Sequence, residues 1–334
     1  MIACLRDAGI EVVEEHVGVW DDVRDGWSAG LRLAGRLGLA ELRLLARRIG
    51  DSDVVVVGYP GHFDLLAARR AAHGVPIVFN PLVSLADTLV ADRRRFRAGS
   101  AAARALELVD RRALAASDLV VVDTETHARY FAGLTDTPIE VCFVGAEERV
   151  FGAGWQPKEP FTALFVGKLI PLHGIETVLA AARLTPEIRF RIVGSGQLEH
   201  LLDDVPANVE RVAWVPYEQL PSALHAAGCA LGIFGTSDKA SRVIPNKAFQ
   251  AIACGTPLVT GDTPAARELL VDGESALLVP PGDPAALAAA IRRLAGDRQL
   301  AGRLSAAGRA TFEQRASEAV LGARWRELLQ RLVD

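Results

Sequence analysis

The sequence has few of the features that place a protein in a class by composition alone. Its 334 residues include only four cysteines, and the spacing of these does not match a metal site. No apolar run reaches the roughly 20 residues that cross a bilayer, and we expect no signal peptide. We therefore predict a cytoplasmic protein with reduced, buried thiols, for which any membrane contact would be peripheral. The cysteines are Cys4, Cys142, Cys229 and Cys254.

The sequence also lacks a large excess of charge of either sign. The formal net charge is −4, which gives no reason to expect nucleic acid as a partner. Lysine is rare among the 37 basic residues, and every lysine lies at or after residue 158. Because lysine is used so sparingly, we interpret these positions as functional candidates. They are Lys158, Lys168, Lys239 and Lys247.

The residues that are present predict two α/β domains. Half of them are hydrophobic, which is typical of a well-packed globular protein, and the length suits two domains. Short apolar runs alternate with helical patterns, as in doubly wound parallel sheets. We predict a first domain over residues 1–151, a linker over 152–160, a second domain over 161–308 and, over 309–334, a C-terminal helix that crosses back to the first domain. The predicted strands lie near Asp53–Val57, Val75–Phe79, Asp118–Val122, Ile139–Phe143, Ala163–Gly167, Ile188–Val193, Val209–Ala213, Ala230–Phe234, Pro257–Thr260 and Ala276–Val279.

The start of the first domain departs from this pattern. A doubly wound domain normally begins with its central strand and a glycine-rich turn. This chain instead opens with a helical pattern, Met1–Ile10, followed by a predicted strand near Glu11–Glu14. We expect either that the natural start lies one strand upstream or that the domain is naturally shortened.

A short helix after Pro245 carries polar residues in its first turns. Proline suits the first turn of a helix, and Gly255 ends this one. At about 100° per residue, Asn246, Lys247 and Gln250 share one side, and apolar residues cover the other. Because helix N-termini attract phosphate, this helix is a candidate ligand site. The alternative is a surface helix with a solvated polar side.

Several motifs of the second half together resemble the family 4 glycosyltransferases, which are retaining enzymes of GT-B architecture. The resemblance implies two Rossmann-like, doubly wound domains facing a cleft, with the first domain lacking its first strand here. It implies transfer of a sugar from a nucleotide diphosphate sugar to an unidentified acceptor, without a cofactor or an obligatory metal. The motifs are Phe165–Glu176, Ile192–Gly196, Ala251–Val259, Ala266–Leu270 and Leu277–Asp283.

The resemblance also implies a set of donor contacts. Lys168 and His173 occupy the positions at which the family places an arginine and a lysine on the donor diphosphate. A neutral His173 could donate a hydrogen bond there but would carry charge only when protonated, and the alternative is a helix-start residue without a role. The remaining donor-side residues are Gly167, Gly194, Gly196, Val215 through its backbone, Asn246, and Glu268, for which a surface carboxylate is nearly as good an interpretation.

Two positions differ from the family pattern. Its paired glutamates map onto Arg242 and Gln250. Gln250 could still contact ribose hydroxyls, whereas Arg242 reverses the charge next to the donor sugar. The loss of both glutamates is consistent with a donor that carries an acidic or modified sugar, or with an Arg242 that contacts the phosphates. It is also consistent with a noncatalytic nucleotide-sugar-binding or partner subunit. A nucleotide-sugar epimerase is a third possibility, but it would need acid and base carboxylates that the sequence does not reveal. Lys247 is expected to supply the phosphate contact that His173 weakens.

The acceptor side depends on residues that follow two strands of the first domain. His62 and Asp64 follow the first of them and are candidates for binding acceptor hydroxyls or moving a proton. With Arg242 and Lys247, His62 completes our candidate catalytic residues, although a loop histidine without a role is the alternative. Asn80 and Asp87 follow the next strand and are further acceptor-side candidates.

A run of arginines makes the first domain locally basic. If these arginines have a function, it is to attract the protein to an anionic membrane surface or to a phosphorylated, lipid-linked acceptor. The alternative is a solvated face. The run consists of Arg93, Arg94, Arg95 and Arg97.

Overall fold

The computed structural model describes residues 1–16, 31–46 and 52–333, which form two units. The N-terminal unit consists mainly of Cys4–Cys142 and also contains Ala323–Asp334. The C-terminal unit consists mainly of Phe143–Gly322. Each unit contains a parallel sheet with helices, which confirms the predicted α/β class.

The sheet of the N-terminal unit has the strand order β1-β2-β3-β4, and all its pairs are parallel. The centre of this sheet is apolar: β2 and β3 are buried along their whole length, as expected for strands covered on both faces. All four strands lie inside the predicted ranges. They are β1 (Val55–Val57), β2 (Ile77–Phe79), β3 (Leu119–Val122) and β4 (Ile139–Val141).

Among the described residues before Phe143, five helices and one π-helical turn belong to the N-terminal unit. The side chains of Ser100 and Thr124 cap the starts of two of them by accepting backbone N–H groups. The helices are α1 (Ile2–Asp7), α2 (Leu31–Leu45), α3 (Leu65–Ala72), α4 (Ala101–Ala115) and α5 (Glu125–Ala132), and the turn spans Asp87–Asp92.

The predicted strand near Glu11–Glu14 is wrong. Residues 11–16 have no strand pairing, and Val13 is 74% exposed. The consecutive valines Val12 and Val13 therefore do not pair with a strand among the described residues. Glu14 instead forms an exposed ion pair with Arg6 at 2.7 Å.

The C-terminal unit has a six-stranded parallel sheet with the order β10-β9-β8-β5-β6-β7. Each strand overlaps its predicted range, and the alternation of strands with helices is confirmed. The order reverses at β5, where a doubly wound sheet has its ligand crevice at the carboxyl ends. The strands are β5 (Thr162–Val166), β6 (Arg189–Val193), β7 (Val209–Val212), β8 (Cys229–Leu231), β9 (Leu258–Gly261) and β10 (Leu277–Val279).

Helices cover this sheet on both faces. The predicted helix near Gln197–Leu202 is only a 3-10 turn over Glu199–Leu202, and two further 3-10 turns span Pro171–His173 and Tyr217–Gln219. The helices are α6 (Ile175–Leu184), α7 (Leu220–Ala226), α8 (Asp238–Arg242), α9 (Asn246–Ala253), α10 (Ala266–Leu269), α11 (Pro284–Gly296) and α12 (Arg298–Arg315).

Successive residues of the central strands enter two separate cores. Phe165 packs on one face of the sheet with Ile192 and Leu231, which are its neighbours in register. Leu164 packs on the other face with Phe249 of α9. The period of two along β5 therefore decides which helices each side chain meets.

The C-terminal segment contains two helices instead of the single predicted one. Helix α12 ends at Arg315, and α13 spans Glu318–Val333. Ser317 separates them: its hydroxyl donates to the Glu313 carbonyl and accepts the Val320 N–H, which is how a serine caps a helix start. Within the N-terminal unit, Arg324 of α13 pairs with Glu140 of β4 at 2.6 Å. None of the helices in the described ranges has the length and apolarity that a bilayer span requires.

Candidate glycine-loop site

The carboxyl ends of β5 and β6 are held together through glycine. The Gly167 N–H donates to the Val193 carbonyl at 2.9 Å, and Gly167 and Gly194 have φ values of +144° and +148°. A Cβ atom on Gly194 would lie 1.9 Å from the Gly167 carbonyl oxygen, so a larger residue cannot occupy this position without moving the backbone. The predicted residue Gly196 follows in the same loop, beside Leu169. We call residues 167–169 and 194–196 the glycine loops.

A 3-10 turn places His173 next to the glycine loops. The His173 carbonyl accepts the Phe234 N–H at 3.1 Å, which ties this turn to the chain that follows β8. The His173 Nδ1 atom lies 2.5 Å from the Lys168 carbonyl oxygen. Because a carbonyl can only accept, Nδ1 carries the hydrogen, and Nε2 of the neutral ring is then an acceptor. The expectation that neutral His173 can donate to an anion is therefore wrong for Nε2, which gains an N–H only when the ring is protonated.

Lys247 of α9 ends at the same place. A Cβ atom on Gly167 would lie 2.9 Å from Lys247 Nζ and 3.2 Å from His173 Cε1, so the missing side chain leaves room for both groups. Helix α9 packs on the face of the sheet that Leu164 shares. Phe165 belongs to the opposite face, and yet Nζ lies 3.7 Å from the centroid of its ring. The lysine side chain therefore crosses the end of β5, where Gly167 has no side chain to block it.

The Lys247 amine is buried without a hydrogen-bond partner in the part of the chain that the structure describes. Burial lowers the pKa of Lys247 well below its usual value. The Phe165 ring offers a cation–π contact, which compensates only a fraction of the lost hydration. The sequence pattern predicted that Lys247 lies on a polar helix face. Its amine is instead buried.

The other residues of this helix point in different directions. Asn246 is exposed, whereas Gln250 is half-buried and lines a small pocket together with Lys247. The Gln250 amide is hydrogen-bonded to the Tyr217 hydroxyl, while burial is the main cause that raises the pKa of Tyr217. The three predicted polar residues thus do not form one continuous exposed face.

The remaining donor-side candidates lie on neighbouring loops. Lys168 is exposed beside Gly167, and Val215 is half-buried in the loop after β7. Arg242 ends α8 and Glu268 lies in α10, and the two helices are joined where the Ala265 N–H donates to the Ser241 carbonyl at 3.2 Å. In the described ranges no group of three His, Cys, Asp or Glu side chains could hold a metal ion.

In the N-terminal unit, His62 points inward. It is 5% exposed, its Nδ1 lies 3.0 Å from the Pro60 carbonyl oxygen, and its Nε2 lies 3.4 Å from Asp110 Oδ1. Burial lowers the pKa of His62, and the Asp110 carboxylate opposes that effect. Asp110 also accepts hydrogen bonds from Ser84 Oγ at 2.7 Å and from the Leu85 N–H at 2.8 Å. Sequence patterns did not indicate Asp110, because it resembles any other polar position on α4.

The other acceptor-side candidates are also engaged within the N-terminal unit. The Asn80 side-chain amide donates to the Val121 carbonyl at 2.7 Å, and Asp87 is buried in the π-helical turn. Asp64 is hydrogen-bonded to Glu41, and burial together with this contact raises the pKa of Glu41 to about 8. The roles of these residues toward an acceptor stay predictions.

The arginine run is only partly a surface feature. Arg94, Arg95 and Arg97 are exposed. Arg93 is buried, with its Nε 3.5 Å from Asp92 Oδ2. Including Arg93 in an exposed basic face was therefore wrong.

A second buried pair escaped the sequence analysis. His127 Nδ1 lies 2.6 Å from Asp123 Oδ1, and its Nε2 has no hydrogen-bond partner among the described residues. The pair lies where β3 passes into α5, and Thr124 caps that helix by accepting the His127 N–H. The only available signal was an Asp and a His four residues apart at a helix start.

Comparison with known proteins finds a matching family within the C-terminal unit and relatives that are glycosyltransferases. The family described as "Glycosyl transferases group 1" matches residues 160–297. The phosphatidyl-myo-inositol mannosyltransferase of Mycolicibacterium smegmatis is 32% identical over 180 residues, which are 51% of this chain and 43% of that protein. The D-inositol 3-phosphate glycosyltransferase of a Nocardioides species is 26% identical over 331 residues, 86% of this chain and 69% of that protein.

A solved structure shares the two-unit fold. The sucrose-phosphate synthase of Thermosynechococcus elongatus superposes with a TM-score of 0.74 at 18% identity, over 90% of this chain and 78% of that one. Three of the sequence matches cover a smaller part of the related protein than this superposition does. The matches to three relatives span between 37% and 46% of those proteins, which is less than half of their length.

Proposed function

Because residues 160–297 form a glycosyl transferases group 1 domain, we propose that this chain transfers a sugar from a nucleotide diphosphate sugar to an acceptor. The observation that carries the proposal is the Lys247 amine, which is buried beside Gly167 with no hydrogen-bond partner among the described residues. A donor diphosphate supplies the negative charge that this position lacks. Cations and N–H groups there stabilise the charge that develops on the diphosphate as the glycosidic bond breaks.

The residues of the C-terminal unit have distinct roles in this proposal. Lys168, Lys247 and protonated His173 contact the diphosphate together with the backbone of the glycine loops. Gln250 contacts the ribose, and the backbone at Val215 contacts the base. Asn246, Arg242 and Glu268 complete the donor side, with Arg242 toward an acidic sugar or toward the phosphates.

The transfer itself is a substitution at the anomeric carbon of the sugar. An acceptor oxygen forms the new bond, the bond to the diphosphate oxygen breaks, and its electron pair leaves with the nucleoside diphosphate. The departing phosphate takes the acceptor proton, so no buried side chain of the N-terminal unit has to act as a base. We propose that the configuration is retained, and proton NMR of the product's anomeric centre tests this.

Neither a cofactor nor a metal ion has a step in this proposal. We propose that turnover continues unchanged in the presence of EDTA. A loss of turnover in EDTA that Mg²⁺ or Mn²⁺ restores would contradict this part of the proposal alone.

The acceptor and its location form a finer part of the proposal. Both relatives named above carry inositol in their names, so inositol phosphate and phosphatidylinositol are the first acceptors to test. Arg94, Arg95 and Arg97 flank Phe96, which is 40% exposed, and we propose that this segment contacts anionic lipid from the cytoplasmic side. Sedimentation with vesicles of phosphatidylglycerol, compared with pure phosphatidylcholine, tests the contact.

Nucleotide binding is the experiment that tests the core of the proposal. We expect one of UDP, GDP, ADP and dTDP to bind selectively in calorimetry, and the matching sugar nucleotide to release its nucleoside diphosphate when an acceptor is present. Lys168→Ala should weaken binding by about 1.5–3 kcal/mol, the range for hydrogen bonds to charged groups. Lys158→Ala is the matched control, because Lys158 is exposed in the segment that precedes β5.

The outcomes separate the remaining candidate functions. Binding without release from any sugar nucleotide would favour a noncatalytic nucleotide-sugar-binding subunit. Conversion of the donor to its epimer would favour an epimerase. Absence of binding by all four nucleotides to the folded chain would overturn the proposal.

A further inference from the structure

In the described part of the chain, the surroundings of Lys247 contain no counter-ion for an ammonium group. The pocket that Lys247 lines has walls of aliphatic side chains and one neutral amide. Burial alone accounts for the lowered pKa of Lys247, with no contribution from a charged neighbour. The other lining residues are Leu164, Val166, Leu220, Leu224, Ala230, Leu231 and Gln250.

An ammonium group in such a place has lost its water without gaining a partner. Such a group avoids the cost of burial by giving up its proton, and lysine does this more readily than arginine. The unliganded chain therefore carries Lys247 as a neutral amine over a pH range in which an exposed lysine is charged. A phosphate oxygen beside Gly167 would reverse this balance, because an opposite charge within hydrogen-bond reach favours the protonated form.

We propose that Lys247 takes up a proton from solution when the diphosphate of a nucleotide sugar binds at the glycine loops, so that donor binding is coupled to pH. The inference rests on the proposed function, since it assigns a protonation step to the same site. Donor recognition then uses a charge that the empty site does not carry.

Other titratable groups near Lys247 could also contribute protons. His173 meets Gly167 from the 3-10 turn, and its Nδ1 hydrogen is already donated to the Lys168 carbonyl. Lys168 is exposed in the loop itself, and Tyr217 reaches Gln250 from the turn after β7. From α12, Arg309 contacts the far end of α9 at the Ala253 carbonyl. Strands β5, β8 and β9, which pack against α9, contain no Asp or Glu within their ranges.

The direction of the pH dependence follows from the proton balance. The pKa of the Lys247 amine is low in the free chain and higher in the complex. At pH values between these two pKa values, the complex binds more protons than the free chain. Affinity for the nucleoside diphosphate therefore falls as pH rises through this window, by up to about tenfold per pH unit for one proton. Above the window the amine is neutral in both states, and the dependence on Lys247 ends.

Calorimetry in several buffers measures the proton directly. The binding enthalpy of the nucleoside diphosphate selected in the panel is measured at about pH 8 in buffers of different ionisation enthalpy. At this pH the terminal phosphate, with a pKa near 6, is already ionised. We expect the enthalpy to vary linearly with the buffer's ionisation enthalpy, with a slope that corresponds to uptake of up to one proton per bound nucleotide.

Three variants assign the proton to its group. Lys247→Met should bind more weakly and without proton uptake, and Lys247→Arg should bind without uptake because guanidinium keeps its proton. His173→Gln should keep the proton that Lys247 takes up, because it removes only a proton bound by the His173 ring itself. Folding of each variant is checked by its thermal transition, and Lys158→Ala should match the wild type throughout.

Different results would overturn the inference and the proposed function. Binding by the wild type with no proton uptake would overturn the inference and leave the proposed function intact. Uptake that persists in Lys247→Met, or that is lost only in His173→Gln, would also overturn it. If no nucleotide binds to the folded wild type, both the proposed function and the inference are overturned.

Discussion

The carboxyl ends of the strands differ between the two units in how their polar groups are satisfied. In the N-terminal unit, His62, Asp110 and Ser84 bind one another, and the Tyr130 hydroxyl donates to Ser84 at 3.2 Å. In the C-terminal unit, the Lys247 amine has no such partner among the described residues. A network whose members satisfy one another stabilises its own unit, whereas a buried amine without a partner gains stability from a ligand of negative charge.

The chemistry of the side chains explains this difference. A carboxylate and a hydroxyl can satisfy several donors at once, so a network such as the one around Asp110 closes on itself. An ammonium only donates, and the walls around Lys247 are almost wholly apolar. We therefore expect substitutions in the first region to affect mainly stability and substitutions in the second to affect mainly nucleotide binding. The Nε2 of His127, which has no hydrogen-bond partner among the described residues, is one exception within the N-terminal unit.

Replacing Asp110 by alanine should produce the largest loss of stability. The substitution removes the acceptor for Ser84 Oγ and for the Leu85 N–H and the partner of His62, all of which stay buried. Breaking a buried pair in this way costs about 3–5 kcal/mol. Urea unfolding followed by circular dichroism measures the free energy. Asp136→Ala, at an exposed acid of the same unit, is the control, and equal losses in both variants would contradict the importance of the network.

Replacing Gly194 by alanine should come next and should alter both stability and binding. Its Cβ would lie 1.9 Å from the Gly167 carbonyl oxygen, and its φ of +148° is unfavourable for any residue with a side chain. We expect a loss of about 2–3 kcal/mol in the free energy of unfolding and a weaker nucleoside diphosphate affinity.

Gly302→Ala is the matched control for this substitution. Gly302 lies on the exposed side of α12, and no atom lies within 4 Å of a Cβ placed there. Alanine should therefore leave binding unchanged and stabilise the helix slightly. A Gly194→Ala variant that binds nucleotide as the wild type does would show that the glycine loops do not hold the diphosphate.

The sheets and the glycine loops were predictable because their signals are local. Apolar runs with glycine at their ends located the strands of both sheets, and Gly167 and Gly194 follow their strands as expected. The strand near Glu11–Glu14 shows where local pattern fails. β-Branched residues such as Val12 and Val13 form a strand only if a neighbouring strand is available, and that is a property of the whole fold.

The state of the candidate site residues depends on contacts between distant segments. His62 turns inward because Asp110 on α4 accepts it, and Lys247 is buried because Gly167 on another element lacks a side chain. Arg93 is buried beside Asp92, whereas Arg94, Arg95 and Arg97 are exposed. The sequence identified residue types suited to phosphate but could not tell which of them are paired.

The smallest expected effect is that of Glu41, a carboxyl of the N-terminal unit whose pKa is shifted although other polar groups of this unit are satisfied. Its pKa is raised to about 8 from an ordinary value of 4.5, first by burial and then by Asp64. Between these two pH values the folded state holds a proton that the unfolded state has lost, so the free energy of unfolding falls as pH rises. Solvent screening keeps the effect small because Glu41 is partly exposed.

Urea unfolding at about pH 5, 6.5 and 8 should show a flatter pH dependence in Glu41→Gln than in the wild type. Glu107→Gln, at an exposed carboxylate on α4, should keep the wild-type slope. Identical slopes in all three proteins would show that the pKa of Glu41 is not raised.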